Sequence, residues 1–186
     1  MARSPSGLRE RLLDSSVQLF AQRGFRGTSL ADVAADAGCS KASLLYHFSS
    51  KEAILAELLL PIGKEVVALD RRLAPLDDRD VAEAAVTGFV DLTLRYRREI
   101  KLLFDNLADV TSLPDLGIDG VDGVDDRLVD AVAGRSPGPE ARVAAHLVLG
   151  GIFAAGAAVE RLPFDDATLR ASLTTSALRA LGRGRA

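Results

Sequence analysis

The chain contains no tryptophan, one methionine, one cysteine and two histidines, and only 5% of its residues are aromatic. Each shortage excludes a class of protein. A lone cysteine, Cys39, cannot close an internal disulfide, so a small cross-linked secreted scaffold is ruled out and a reducing cytosol fits. The two histidines, His47 and His146, follow Leu44 and Val143 by three residues, so the E-x-x-H pairs that a di-metal helical bundle requires are missing. No G-x-S-x-G, phosphate loop or Cys/His cluster of metal spacing occurs either. The sequence therefore offers no catalytic residue, no metal ligand set and no cofactor site, and we read it as a non-enzyme. Long apolar runs are scarce too. Val143 to Val159 is nearly all apolar, but it is short and interrupted by His146, Gly150, Gly151 and Gly156. Near the N-terminus Arg9, Glu10, Arg11 and Asp14 stand where a secretory leader needs an unbroken apolar stretch. The expectation is a cytoplasmic protein without a membrane partner.

What is present is an ordinary globular composition of 186 residues, 48% apolar and 26% charged, enough to bury a core in one domain or two small ones. The net charge of -3 conceals a division. Up to Glu52 there are seven basic residues (Arg3, Arg9, Arg11, Arg23, Arg26, Lys41, Lys51) and five acids, whereas the rest of the chain is acidic. A mildly basic head on an acidic body suits a small DNA-reading module attached to something else.

Helical periodicity runs through the chain, and no period-2 segment is flanked by hairpin turns. The prediction is an all-α protein of about nine helices. The first carries Leu8, Leu12, Leu13, Val17 and Phe20 and ends at Gly24. Ser29 with Asp32 starts a short helix that stops before Gly38, and Ser40 caps another reaching His47. Ser49 and Glu52 form an S-x-x-E box for a longer helix, interrupted by Pro61, that reaches about Leu73. Asp80 and Glu83 open the next, and a shorter one follows with Ile100, Leu103, Phe104 and Leu107. Thr111 to Gly123 reads as a mobile loop. A helix ending at Gly134, a long one from Glu140 to about Arg161, and a last one capped by Asp165 complete the chain.

Thr28 to Glu52, TSLADVAADAGCSKASLLYHFSSKE, is the informative segment. Two helices of under ten residues joined across Ala37-Gly38-Cys39 bury little alone and make sense as a helix-turn-helix. Ser40, Lys41, Ala42, Ser43 and Tyr46 fall on the outward face of the second helix, which would enter a major groove, with His47 and Lys51 at phosphate height. The helix starts near Ser29 and Ser49 add amides for phosphate oxygens.

These residues resemble the TetR/AcrR family of bacterial transcriptional regulators. Leu12, Phe20, Gly24, Phe25, Thr28, Ser29, Val33, Ala34, Ala37, Gly38, Ser40, Ser43, Leu44, His47, Phe48, Ser50, Lys51 and Glu52 fall on its N-terminal signature, across residues 8 to 55. Three positions depart from it: Cys39 stands for the usual Val, Ala42 for the common Gly, and Leu45 for the phosphate-binding Tyr, with Tyr46 directly after. The resemblance implies a helix-turn-helix domain over residues 1–50 and a ligand-binding and dimerisation domain over 51–186. It implies a homodimer on a palindromic operator of double-stranded DNA, acting as a repressor until a small ligand releases it. Its DNA-contacting set would be Thr28, Ser29, Ser40, Lys41, Ala42, Ser43, Tyr46, His47 and Lys51.

Support for dimerisation comes from the Glu140 to Arg161 helix, whose small residues cover more than one face. The interface would draw on Leu147, Gly151, Ala154, Ala155, Ala158, Leu173 and Ala177 in a four-helix arrangement. Phe89, Tyr96, Phe104, His146 and Phe153 are candidates for lining a pocket, and the scarcity of aromatics points to an apolar or amphipathic ligand. The Pro61 helix, which joins the head to the body, would be the lever. The alternative is a dimeric small-molecule carrier with a degenerate DNA-binding head.

Overall fold

A computed structural model describes residues 5–106, 120–158 and 161–183. Among these residues there are nine helices and no strand: α1 (Pro5–Arg23), α2 (Leu30–Asp36), α3 (Lys41–His47), α4 (Lys51–Leu73), α5 (Val81–Arg95), α6 (Arg97–Asp105), α7 (Val124–Val132), α8 (Pro139–Ala157) and α9 (Asp166–Ala180). Two compact units emerge, Met1–Pro61 with Lys101–Leu116, and Ile62–Ile100 with Gly117–Ala186. The chain thus passes from one to the other inside α4, after Pro61, and again inside α6, after Ile100.

In the first unit, α1 buries Leu12, Leu19 and Phe20 on one stripe and ends where Gly24 turns left-handed at φ 73°. Ser29 caps α2 as expected. Its Oγ accepts the Asp32 amide at 3.1 Å, and the Asp32 carboxylate accepts the Ser29 amide at 2.9 Å, closing a reciprocal box. Gly38 then takes φ 68°, and the Gly38 and Cys39 amides donate to Ala35 and Ala34 carbonyls, a helix end that a β-carbon would strain. Ser40 caps α3 by accepting the Ser43 amide at 3.1 Å. Val33, Ala34, Ala37, Leu44 and Phe48 are the buried side of this pair.

The next cap lies one residue later than the S-x-x-E pattern suggests. Ser50, not Ser49, holds α4, its Oγ accepting the Ala53 amide at 3.1 Å, so Glu52 is not at the reciprocal position. Pro61 does not divide α4, which runs unbroken to Leu73. A proline in a helix removes one backbone bond and crowds the carbonyl four residues before it, which leaves the helical assignment intact when the surrounding turns are packed.

In the second unit α5 is the axis. Val81, Ala85, Val86, Val90 and Leu94 lie in a core shared with Val129 and Val132 of α7, Ala145, Val148 and Ile152 of α8, and Leu169 and Ala177 of α9. α8 crosses α5 so closely that a β-carbon on Gly156 would lie 2.0 Å from the Thr93 methyl. Asp80 makes no capping bond to α5. The Asp77 Oδ1 accepts the Arg79 and Asp80 amides at 3.1 Å each, which closes the turn that precedes α5. The Arg135 guanidinium donates to the Leu73, Ala74 and Leu76 carbonyls, satisfying the C-terminal end of α4. α8 stops at Ala157 rather than Arg161, its last turn tightening as the Ala158 amide reaches the Ala154 and Ala155 carbonyls. Asp165 caps α9 through the Thr168 amide at 2.7 Å. Of the expected mobile loop, residues 111–119 lie outside the described residues, as does Leu107.

The Ser29 hydroxyl, followed by the Ser29 amide, holds the Asp32 carboxyl below the usual aspartate range. A lowered folded value means that this group stabilises the fold above the unfolded aspartate value, near pH 4. The contribution disappears as pH falls through the lowered folded value. Asp32→Asn should therefore destabilise the protein at pH 7 and flatten its loss of thermal stability between about pH 5 and pH 2, read by circular dichroism melting. An unchanged acid limb in the variant would count against the box as a stabilising element.

Candidate nucleic-acid interface

α3 turns Leu44 fully inward, and this fixes what faces out. Lys41, Ala42, Leu45 and Tyr46 are exposed along one stripe, Tyr46 at 86% and Leu45 at 46%. Ser40 and Ser43 lie beside them, their hydroxyls 2.9 Å apart. His47 is half-buried, its ring edge-on to Tyr46 with centroids 5.3 Å apart. The sequence reading missed Leu45, which shares the outward stripe with Lys41, Ala42 and Tyr46. The signal was available, because Lys41 and Leu45 are one helical turn apart.

The starts of α2, α3 and α4 converge. Arg26, Ser29, Leu30, Lys41, Ser50 and Lys51 border one open concavity of about 500 Å³. The positive ends of three helix dipoles face into it, together with exposed Arg26 and Lys41. Not every residue expected there offers its side chain. Thr28 is buried, and its hydroxyl donates to the carbonyls of Leu19 at 3.2 Å and Gly24 at 3.0 Å, so it braces the turn instead of reaching outward. The Ser29 amide is occupied by Asp32. Lys51 points its ammonium at the Phe25 carbonyl, 2.6 Å away, and lies 4.5 Å from the centre of the Phe25 ring.

Residues 12–58, which span this geometry from α1 into α4, match the family described as bacterial regulatory proteins of the tetR family. Over this segment the chain is similar to the TetR family. It is 40% identical over 84 residues to the HTH-type transcriptional repressor KstR2 of Rhodococcus jostii (strain RHA1), a stretch covering 44% of this chain and 41% of that protein. With the HTH-type transcriptional regulator RutR of Escherichia coli (strain K12) it shares 38% identity over 101 residues, 53% of this chain and 45% of the relative. The chain spans under half the length of these curated relatives. The crystal structure of a TetR-like transcriptional regulator from Rhodococcus sp. RHA1 superposes with a TM-score of 0.69 at 25% identity, over 97% of this chain and 99% of that one.

The turn that leads into the helix-turn-helix is anchored by a residue far along the sequence. Asn106, 6% exposed and next after α6, accepts the Phe25 amide on Oδ1 at 3.0 Å and donates from Nδ2 to the Leu102 carbonyl at 2.9 Å. Phe25 is thus held through its amide by Asn106 and through its carbonyl by Lys51, while its ring packs edge-on against Phe20 with centroids 5.2 Å apart.

The second unit holds a groove of about 660 Å³ between α4 and α5, floored by Leu69, Leu73 and Leu92 and edged by Arg72, Asp91 and Tyr96. Of the five pocket candidates only Tyr96 borders it. Phe89 and Phe153 are partly buried away from it, His146 is exposed, and Phe104 is 48% exposed in the first unit. The expected interface set divides as well. Leu147 is 72% exposed and Gly151 is exposed, whereas Ala154, Ala155, Ala158 and Leu173 are half-buried. Ala177 is buried in the core and leaves the set, because a side chain packed inside one unit cannot meet a second copy.

Asn106→Ala leaves the buried Phe25 amide without a partner. The expected cost is about 1–3 kcal/mol of unfolding free energy in urea, the range for a buried unsatisfied donor, with Asn106→Asp recovering part of it by accepting the same bond. A neutral Asn106→Ala would remove this anchor from the account of the head.

Proposed function

We propose that the chain is a cytoplasmic DNA-binding transcriptional regulator, acting as a repressor that reads a palindromic operator as a homodimer and is released from it by a small ligand. The observation that carries the proposal is the outward stripe of α3, which sets a cation, two apolar groups and a phenol beside a concavity bordered by three helix starts. An α-helix with such a face fits a major groove, and helix starts and cations on either side suit phosphates. Ser29, Ser40, Lys41, Ala42, Ser43, Tyr46 and His47 form the contact set on this reading, with Arg26 added from the concavity. Thr28 and Lys51 hold the turn.

The homodimer rests on α8. Val143, Leu147, Gly150, Gly151 and Ala154 recur at helical spacing on the side turned from the core, and Val143 and Leu147 are 58% and 72% exposed. A β-carbon on Gly150 or Gly151 would meet nothing within 4 Å in one chain. Alanine at an open helical position is about 1 kcal/mol better than glycine, so two adjacent exposed glycines make sense where another backbone approaches. α8 is also long and apolar enough to cross a membrane by length and composition. Its opposite face packs Ala145, Val148 and Ile152 into the core, which favours a second copy of the chain over lipid as the cover. The α4–α5 groove, with leucines on its floor and charges at its edge, suits an amphipathic ligand. Because α4 is continuous from head to body, movement of its Pro61 region would change the separation of two heads.

Selection of bound fragments from random duplex DNA tests the reading. Wild type should enrich a palindrome, and a Lys41→Ala/Tyr46→Ala variant should not. Failure of folded wild type to enrich any sequence at low salt would favour the carrier alternative. On the selected site, Lys41→Ala should make the slope of log K against log[salt] shallower by about 1.8 for a dimer, since each lost phosphate contact is worth about 0.9. Leu147→Glu should convert the dimer to monomer in sedimentation velocity and abolish binding to the two-half-site duplex. A dimeric Leu147→Glu variant would overturn the α8 interface.

A further inference from the structure

Ala42 and Leu45 form an apolar centre on a face where polar contacts are expected. Leu44, Phe48, Val33 and Ala34 fill the interior of the helix pair, so Leu45, at 46% exposure, is not needed to complete that core. Neither Ala42 nor Leu45 can exchange a hydrogen bond with a phosphate oxygen or a polar base edge. Within the major groove one base-edge group is apolar, the 5-methyl of thymine.

Lying three residues apart on a helix, the two side chains are stacked along one stripe and separated by about 4.5 Å in rise. Base pairs in a duplex are about 3.4 Å apart. The two side chains are therefore close enough to touch neighbouring base edges, with Lys41 and Tyr46 on the same outward face. Two departures from the family signature, at 42 and at 45, change this surface in the same direction, toward hydrocarbon.

Resting on the reading of the head as an operator reader, we propose that Ala42 and Leu45 recognise thymine 5-methyl groups, and that Leu45 is the specificity-determining residue of each half-site. A leucine here does not mark a damaged phosphate contact. It exchanges a sequence-blind hydrogen bond to phosphate for a sequence-reading apolar contact. Discrimination at this position is then independent of salt, unlike the contribution of Lys41.

The test starts from the duplex that wild type selects from random DNA. Each thymine is replaced in turn, in both half-sites together, by deoxyuridine, which removes the methyl and nothing else, and binding is followed by fluorescence anisotropy. At one or two symmetric positions affinity should fall about fifteenfold, the worth of one buried methyl-sized group per half-site taken twice. Leu45→Ala should bind the thymine duplex more weakly and lose the difference between thymine and uracil at the position that Leu45 reads, and Leu45→Gln, of similar length but polar, should lose it there as well. The salt slopes of both variants should equal that of wild type. A uracil scan silent at every position, or discrimination that both variants keep at every sensitive position, overturns the proposal while leaving the operator reading intact. If no duplex is enriched, both fail together.

Discussion

A helix of seven residues does not persist alone in water, and both α2 and α3 have that length. The DNA-reading head depends on that constraint. Four devices satisfy it: side-chain caps from Ser29 and Ser40, a left-handed turn at Gly38, the burial of Leu44 and Val33, and the clamp on Phe25. Lys51 and Asn106 in that clamp come from the start of α4 and the end of α6, the helices within which the chain passes between units. The turn before α2 is consequently fixed by two segments distant from it in the chain.

The local part of this was legible in the sequence. Ser29, Ser40 and Asp165 cap the helices they were expected to cap, because capping is decided within four residues and needs a short side chain with an oxygen. Where two candidates sit close together the pattern does not choose. Ser49 and Ser50 are such a pair, and the cap is Ser50 where Ser49 was expected, while Asp80 at the start of α5 makes no side-chain capping bond. The bond from Phe25 to Asn106 crosses 81 residues, and nothing in periodicity or spacing encodes such a pair. Pocket and interface residues were read from residue type alone. An aromatic or a small residue is as useful in a core as at a surface, and Ala177 and His146 show both kinds of error.

Charge illustrates the difference between counting and placing. The head has seven basic residues up to Glu52, but Arg9 pairs with Glu57 and lies over the Phe48 ring, Arg23 is 3.9 Å from Asp32, and Lys51 is turned inward to Phe25. Arg11 donates to the Gly7 carbonyl of its own helix. Four of the seven basic residues thus serve contacts within the head. The outward stripe of α3 carries one cation, Lys41, beside Ala42, Leu45 and Tyr46, so on the proposed reading its selectivity would rest on groups that touch bases.

On the proposed reading, two heads acting together would suit release by a small ligand. When each head binds modestly, occupancy of an operator comes from linking two of them, because the second contact forms at a high effective concentration. That gain exists only at the correct spacing and disappears when geometry forbids both contacts at once. A ligand in the body then need not disturb α3 at all. A preference of about 5.5 kcal/mol for the arrangement with misplaced heads shifts the population from 1:99 to 99:1, and a smaller preference suffices where the starting balance is closer. The two bonds at Phe25 would serve the same end, since they tie the turn before α2 to the residue after α6 and to the start of α4.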